Sequence, residues 1–294
     1  MTTLQLPAPA KLNLFLHING RRPDGYHRLQ TCFQLLDHGD ELELSDECDD
    51  TLTLQTIGDN EIDTENNLVL RAARALQRHA GTTAGAHIRL HKRIPAGGGL
   101  GGGSSDAATA LLALNRLWDL GLDSKTLAKI GLTLGADVPF FVHGRSAFAQ
   151  GVGEELFAVE LPAAHYLVVH PGITVSTARV FNAPELTRDT PESTVAAFLG
   201  AGSGMSFHND CEPVARTLFP EINAALDWLS QQTGNARMTG TGACVFARIA
   251  RPGEGERLLA RLPSGWTGFV AEGRNVSPLH EALRRSKRES GTTG

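Results

Sequence analysis

Pro95-Ala96-Gly97-Gly98-Gly99-Leu100-Gly101-Gly102-Gly103-Ser104-Ser105-Asp106 places six glycines in seven positions, and the run Ala107-Ala108-Thr109-Ala110-Leu111-Leu112-Ala113-Leu114-Asn115 follows at once. Glycine reaches positive φ and carries no side chain, so successive backbone N–H groups can converge on an anion held close to the main chain. The residues that follow are mostly good helix formers, and Ser104, Ser105 and Asp106 stand where N-caps are expected. The positive end of that helix would point into the loop. Lying between a strand pattern and a helix start, the stretch predicts a phosphate cradle rather than a flexible linker.

Two other phosphate loops are excluded by neighbouring residues. A Walker loop needs lysine after its last glycine, and here Ser104 follows Gly103. The dinucleotide pattern G-x-G-x-x-G matches at Gly97, Gly99 and Gly102, but a run this rich in glycine matches almost automatically. That fold also feeds its loop from a parallel strand buried on both faces, which reads as continuously apolar. The preceding segment reads His87-Ile88-Arg89-Leu90-His91-Lys92-Arg93-Ile94, with apolar residues alternating with polar ones. One face is therefore expected in water, as in an antiparallel sheet.

Working outward, the first ninety residues read as antiparallel strands. Leu4 to Ile18 is extended, with Leu12, Leu14, Leu16 and Ile18 on one face and Lys11, Asn13, Phe15 and His17 on the other. Arg21-Arg22-Pro23-Asp24-Gly25 is a turn, and Tyr26 to Leu36 returns from it. Glu41 to Leu44 and Thr51 to Leu54 alternate as further strands, and Asn67 to His79 is a helix. Beyond the glycine loop, Ser124 to Leu134 reads as a helix capped at Ser124, and Ser146 to Val152 and Leu156 to Leu161 are extended. The second half carries strands at His165 to His170, Ala243 to Ile249 and Trp266 to Glu272. A helix beginning at Pro220 places Ile222, Ala225, Leu226 and Leu229 on one stripe. Arg285 to Gly294 is polar and expected to be disordered.

With 294 residues, 41% of them hydrophobic, the chain can bury a substantial core, and its length suggests two domains. We place the boundary near Pro162, giving residues 1–161 and 162–294. A formal net charge of -5 argues against a general nucleic-acid binder. Cys32, Cys48, Cys211 and Cys244 lack C-x-x-C spacing, which points to neither a disulfide framework nor a zinc site. Met1 to Pro7 has no basic segment or signal-like apolar run, and no stretch is apolar enough to span a membrane, so a cytoplasmic protein is expected. No obligate protein partner is evident.

Three segments together resemble the GHMP small-molecule kinases: Pro9-Ala10-Lys11-Leu12-Asn13-Leu14, the glycine loop, and Thr239-Gly240-Thr241-Gly242-Ala243-Cys244. Arg22-Pro23-Asp24-Gly25-Tyr26-His27 and Gly135-Ala136-Asp137-Val138-Pro139-Phe140-Phe141 are most similar to the members whose acceptor is a methylerythritol carrying cytidine diphosphate. The match spans nearly the whole chain. Departures are small: Leu12 where isoleucine is frequent, and Thr239 and Thr241 where serine is frequent. The resemblance implies an α+β, two-domain fold, mainly of antiparallel sheets with helices, and an active site in the interdomain cleft. It implies ATP as donor, Mg²⁺ as cofactor, and a small-molecule acceptor.

By the same resemblance, Asp137 is the catalytic carboxylate and Lys11 lies beside it, where a lysine would keep the acid ionised and stabilise charge on the transferred phosphoryl group. Without the motifs, Lys11 would pass for a solvated strand residue and Asp137 for a helix cap. Asn13 is assigned to the methylerythritol hydroxyls, Tyr26, Phe33 and Phe181 to stacking on the cytosine, and His27 to its hydrogen-bonding edge. Phe33 and Phe181 would serve equally as core. Asn67 resembles the family's adenine-side asparagine, and Pro95, Ala96, Gly97, Gly98, Gly99, Leu100, Gly101, Gly102, Gly103, Ser104 and Ser105 form the ATP loop. Ser104 or Ser105 would supply a hydroxyl to Mg²⁺. Another acceptor, such as mevalonate or homoserine, and a nucleotide sensor without catalysis remain as alternatives; the pairing of Lys11 with Asp137 speaks against the sensor.

Overall fold

The computed structural model describes residues 3–58, 66–200 and 207–290. The first half runs β1 (Thr3–Arg21), β2 (His27–Glu47), β3 (Leu52–Ile57), α1 (Leu68–Ala80), β4 (Gly85–His91), α2 (Gly102–Leu117), α3 (Ser124–Leu132), α4 (Val138–His143), β5 (Ala147–Gln150) and β6 (Glu155–Ala158). The second half runs β7 (His165–His170), α5 (Thr177–Phe181), α6 (Val195–Gly200), α7 (Glu212–Leu218), α8 (Pro220–Thr233), β8 (Arg237–Met238), β9 (Val245–Ile249), α9 (Pro252–Leu259), β10 (Thr267–Arg274) and α10 (Pro278–Ser290). Among the described residues no helix is long and apolar enough to cross a membrane.

The strand order is β3-β4-β2-β10-β7-β9-β8, with β1 paired to β2 and β5 joining β2 to β6. The turn after β1 forms as expected: Gly25 has φ +89 and donates to the Arg22 carbonyl at 3.0 Å. The segments Tyr26 to Leu36 and Glu41 to Leu44 fuse into the single long strand β2. One expectation fails, because β3 runs parallel to β4, not antiparallel. Alternation reports which face a residue takes but is blind to the direction of its neighbour; helix α1 supplies the crossover that a parallel pair needs. Strand β4 itself alternates between buried Ala86, Ile88 and Leu90 and half-buried His87, Arg89 and His91, and pairs antiparallel with β2. The simple two-face reading of β1 also breaks, since irregularities fall between Pro9 and Lys11, Asn13 and Leu16, and Ile18 and Gly20.

Strand β1 serves more than one core. Leu6 and Ala8 pack with the alanine-rich face of α2 and with α1, whereas Leu16 and Ile18 join Leu167, Val169, Ile222, Ala225 and Leu226. The α8 stripe at Ile222, Ala225, Leu226 and Leu229 is fully buried, as its spacing predicts. Helix boundaries differ from expectation at three places. Helix α2 starts at Gly102 after a left-handed Gly101, so Ser104, Ser105 and Asp106 lie inside the helix rather than at its cap. Helix α3 is capped by the Asp123 side chain, which accepts from the Thr126 N–H at 2.8 Å, and it ends at Leu132. Helix α10 continues to Ser290 where a disordered tail was expected; the remainder of that tail lies outside the described residues.

Candidate active site

The glycine loop is bent by alternate left-handed residues, with φ of +66 at Gly97, +73 at Gly99 and +72 at Gly101. Its carbonyls are engaged by protein donors. Gly97 and Gly98 accept from the N–H groups of Ala243 and Cys244, both at 3.1 Å. The Gly99 carbonyl accepts from Lys11 Nζ at 3.0 Å and from Thr239 Oγ1 at 3.2 Å. With carbonyls committed in this way, the N–H groups opening α2 are left for an anion. The loop lines a cavity of about 930 Å³ together with residues of β1, β2, α5 and the segment Gly240–Thr241.

Lys11 is buried on the wall of that cavity. Besides Gly99, its ammonium donates to Asn13 Oδ1 at 2.5 Å, lies 3.6 Å from Asp137 Oδ2, and sits 5.2 Å from the centre of the Phe33 ring. Burial pulls the Lys11 pKa below the ordinary lysine range, while the Asp137 carboxylate pulls it back up. Asp137 precedes α4 at the cap position but makes no side-chain capping bond, so its carboxylate is free to face Lys11 and the cavity. Asn13 is fixed on three sides: its oxygen accepts from Lys11, its amide donates to Thr31 Oγ1 at 2.8 Å, and its backbone N–H donates to Thr239 Oγ1 at 3.0 Å.

The five residues expected around the cytosine and the methylerythritol all line this cavity, but in different states. Tyr26 is 66% exposed after the turn, whereas Phe33 is buried against Phe140, their ring centres 4.8 Å apart. His27 and Phe181 stack with centres 5.2 Å apart and an interplanar angle of 23°. The His27 Nε2 accepts from Arg188 Nε at 3.1 Å. Partial burial, then Arg188 and Arg21, lower the His27 pKa below the ordinary histidine value.

Residues 67–145 match the model of the GHMP kinases N terminal domain, and residues 195–268 match that of the GHMP kinases C terminal domain. The 4-diphosphocytidyl-2-C-methyl-D-erythritol kinase of Alcanivorax borkumensis is 61% identical over 285 residues, covering 96% of this chain and 94% of its own length. The chain belongs to the GHMP kinases, in the 4-diphosphocytidyl-2-C-methyl-D-erythritol kinase family. A crystal structure of 4-(cytidine 5'-diphospho)-2C-methyl-D-erythritol kinase superposes with a TM-score of 0.81 at 36% identity, covering 92% of this chain and 99% of that one. Homoserine kinase from Cytophaga hutchinsonii shares the fold, with a TM-score of 0.66 at 17% identity, covering 94% of this chain and 96% of that one.

In this GHMP kinase the residues expected to form the ATP loop, Pro95 to Ser104, all line the cavity, but Ser105 does not; it is fully buried. Asn67 caps α1 by accepting from the Val69 N–H at 2.9 Å and also reaches the cavity wall. Several lining residues escaped the sequence reading. Gly240 and Thr241 belong to the second glycine-containing loop, whose motif was visible but whose approach to the first loop was not. Lys92 and Asp106 are a further pair: the Lys92 ammonium bonds Asp40, and Asp106 Oδ2 at 2.8 Å. Asp40 is fully buried and also accepts from the N–H groups of Arg93 and Ile94 at 2.5 and 2.8 Å. Burial lowers the Lys92 pKa, but the two carboxylates outweigh it and raise it on balance. Burial raises Asp106 to about 7 against the opposing pull of Lys92.

Proposed function

We propose that this GHMP kinase transfers the γ-phosphate of ATP to the 2-hydroxyl of 4-diphosphocytidyl-2-C-methyl-D-erythritol, in the non-mevalonate route to isoprenoid precursors. The observation that carries the reading is one cavity with two chemically distinct regions: the Lys11–Asp137 pair beside the glycine loop, and the stacked His27–Phe181 pair with Tyr26. Phosphoryl transfer through a largely dissociative transition state needs positioning and charge stabilisation more than covalent chemistry. The loop and the start of α2 hold the triphosphate. Lys11 brings a positive charge whose other partners, Asn13 and Gly99, are neutral, so that charge is available to the transferred group. Asp137 orients the acceptor hydroxyl and accepts its proton.

Mg²⁺ belongs to this reading. Ser104 lines the cavity at the first turn of α2, and Asp106 Oδ1 is buried nearby without a hydrogen-bond partner among the described residues; both are hard oxygen donors of the kind Mg²⁺ takes. Ser104 is assigned to the ion, which when bound offsets charge on the phosphates. Asn13 meets the methylerythritol hydroxyls, Tyr26 and Phe181 stack on the base, and Phe33 supports Lys11 from beneath. Asn67 borders the adenine. The division into residues 1–161 and 162–294 is in keeping with two cores each drawn mainly from one half, which a third core, joining Leu12 and Ile94 to Tyr166 and Phe246, bridges across the boundary. A cytoplasmic setting follows from the use of ATP and a nucleotide-linked acceptor.

The test is ADP release with Mg²⁺-ATP, comparing 4-diphosphocytidyl-2-C-methyl-D-erythritol with mevalonate, homoserine, galactose and no acceptor. Turnover confined to the cytidyl substrate is expected. Preferred turnover of another acceptor would overturn the assignment of the cytidine pocket, and nucleotide binding without any turnover would favour the sensor.

A further inference from the structure

Arg188 has no place in the phosphoryl-transfer machinery, yet all five of its N–H directions are used. Nε donates to His27 Nε2 at 3.1 Å. Nη1 donates to the carbonyls of Leu186 at 2.9 Å and Pro184 at 3.5 Å, and Nη2 to those of Ala183 at 2.7 Å and Phe181 at 3.1 Å. One guanidinium thus ties the end of α5 at Phe181, and the segment that follows it, to the histidine on which Phe181 stacks.

The consequence lies in proton placement. A guanidinium nitrogen only donates, and arginine stays charged at any pH the protein meets. Its partner nitrogen must therefore offer a lone pair, which forces His27 to be neutral with its proton on Nδ1. Among the described residues nothing accepts from Nδ1, and the ring lines the cavity, so Nδ1–H is the donor it has left for a ligand. Cytosine carries a bare acceptor at N3, whereas uracil carries N3–H. A ring locked as an Nδ1 donor pairs with the first and opposes the second.

We infer that Arg188 is a positioning residue for base selection: by holding His27 as the Nδ1–H tautomer, it makes the pocket accept a cytidine diphosphate and reject its uridine counterpart. The inference rests on the assignment of His27 to the base in the proposed function. The charged groups acting on His27 are Arg188 and Arg21, both cationic, and with partial burial they oppose its protonation.

Without Arg188 the neutral ring is free to adopt either tautomer, and the Nε2–H form would present an acceptor to uracil N3–H. Below its pKa both nitrogens donate again. Loss of Arg188 should therefore make base preference depend on pH in one direction, weak above the His27 pKa and restored below it.

The test measures kcat/KM for 4-diphosphocytidyl-2-C-methyl-D-erythritol and for its uridine analogue from pH 5.5 to 8.5, in wild type, Arg188→Leu and Arg188→Lys. Wild type should prefer cytidine at every pH. Arg188→Leu should lose at least about tenfold of that preference above pH 7 and regain it at pH 5.5, the scale of one mismatched hydrogen bond. Arg188→Lys, which also only donates, should keep the preference flat with pH. Nitrogen-15 NMR of wild type, with His27 assigned by His27→Gln, adds a readout free of substrate and of variant folding. An Nδ1–H signal at pH 7 is expected; an Nε2–H or charged ring would overturn the inference, as would a preference unchanged in Arg188→Leu at all pH values. A wild type that ignores the base, with the tautomer as expected, would instead count against the cytidine pocket itself.

Discussion

Replacing Gly99 by alanine isolates what the glycine loop requires, because Gly103 offers a control a few residues away. Gly99 sits at φ +73, a conformation that costs an L-residue about 1–2 kcal/mol. A Cβ there would run into the carbonyl oxygen of Thr239, with the Thr239 carbonyl carbon at 3.1 Å and the Gly242 oxygen at 3.0 Å, all of them backbone atoms. Overpacking against atoms that cannot rotate away adds about 1–3 kcal/mol. The sum is about 2–5 kcal/mol, and at about 2–4 °C per kcal/mol for a domain of this size it lowers Tm by roughly 4–20 °C. If the loop yields instead, the Gly99 carbonyl leaves Lys11 Nζ and Thr239 Oγ1, and kcat falls with the strain relieved.

Gly103 is helical, and its nearest neighbour to an added Cβ is Leu68 Cδ1 at 3.4 Å. Alanine is the better helix former by about 1 kcal/mol, so Gly103→Ala should leave Tm unchanged or raise it. The assay is thermal unfolding of both variants without nucleotide, followed by KM for ATP and kcat. Gly99→Ala no more harmful than Gly103→Ala in both stability and turnover would refute the reasoning.

Four other outcomes follow from the site. Asp137→Asn should lower kcat at least ~10²-fold with Tm nearly unchanged, the scale of lost general-base and orienting help; turnover near wild type would remove Asp137 from the chemistry. In the proposed mechanism Lys11 acts as a cation, and its pKa is lowered by burial and held up by Asp137, so activity should fall as pH rises through a value below the ordinary lysine range. In the residual activity of Asp137→Asn that alkaline limb should move to lower pH, and a limb that stays or moves up would contradict the sign. Tyr26→Ala should raise KM for the cytidyl substrate far more than KM for ATP, and equal effects would take Tyr26 out of the base pocket. Asp40→Ala leaves the Arg93 and Ile94 N–H groups without their acceptor while Lys92 keeps Asp106, and at about 1–3 kcal/mol per unsatisfied buried group should cost about 2–6 kcal/mol in denaturant unfolding; a loss under about 1 kcal/mol would show that water replaces the lost acceptor.

Local pattern carried most of the architecture. The β4 alternation and the α8 stripe were legible because each depends on residues within a turn or two of one another. The start of α2 was not, because serine and aspartate are better caps than glycine in general, while here the left-handed Gly101 ends the loop before they are reached. The parallel β3 and the irregularities of β1 depend on neighbouring strands and leave no trace in alternation. The site shows the same division. Lys11 and Asn13 share a face of one strand, as their spacing implies, but the bond from the Asn13 N–H to Thr239 Oγ1 joins residues 226 apart in sequence. The motif containing Thr239 was visible; that it closes over the first glycine loop is a fact of packing. Lys92 passed for an ordinary strand-end charge because Asp40 and Asp106, which bury it, stand far apart along the chain.

The two cavity lysines show why charge must be counted with its partners before a role is assigned. Lys92 faces two buried carboxylates, so its positive charge is matched twice over, and its contacts tie β2 and the end of β4 to α2. That arrangement fixes the helix start that an anion would meet, and it leaves the site negative by one charge unless a proton is taken up. Lys11 faces a single carboxylate at 3.6 Å that is 31% exposed, and its remaining partners are neutral oxygens. A negative phosphoryl group arriving beside it competes with one screened charge instead of two buried ones, and Coulomb attraction falls steeply as the effective dielectric rises. By this difference in partners, the proposed mechanism has Lys11 as the cation that follows charge as it moves during transfer, with Lys92 holding in place the helix start proposed to meet the phosphates.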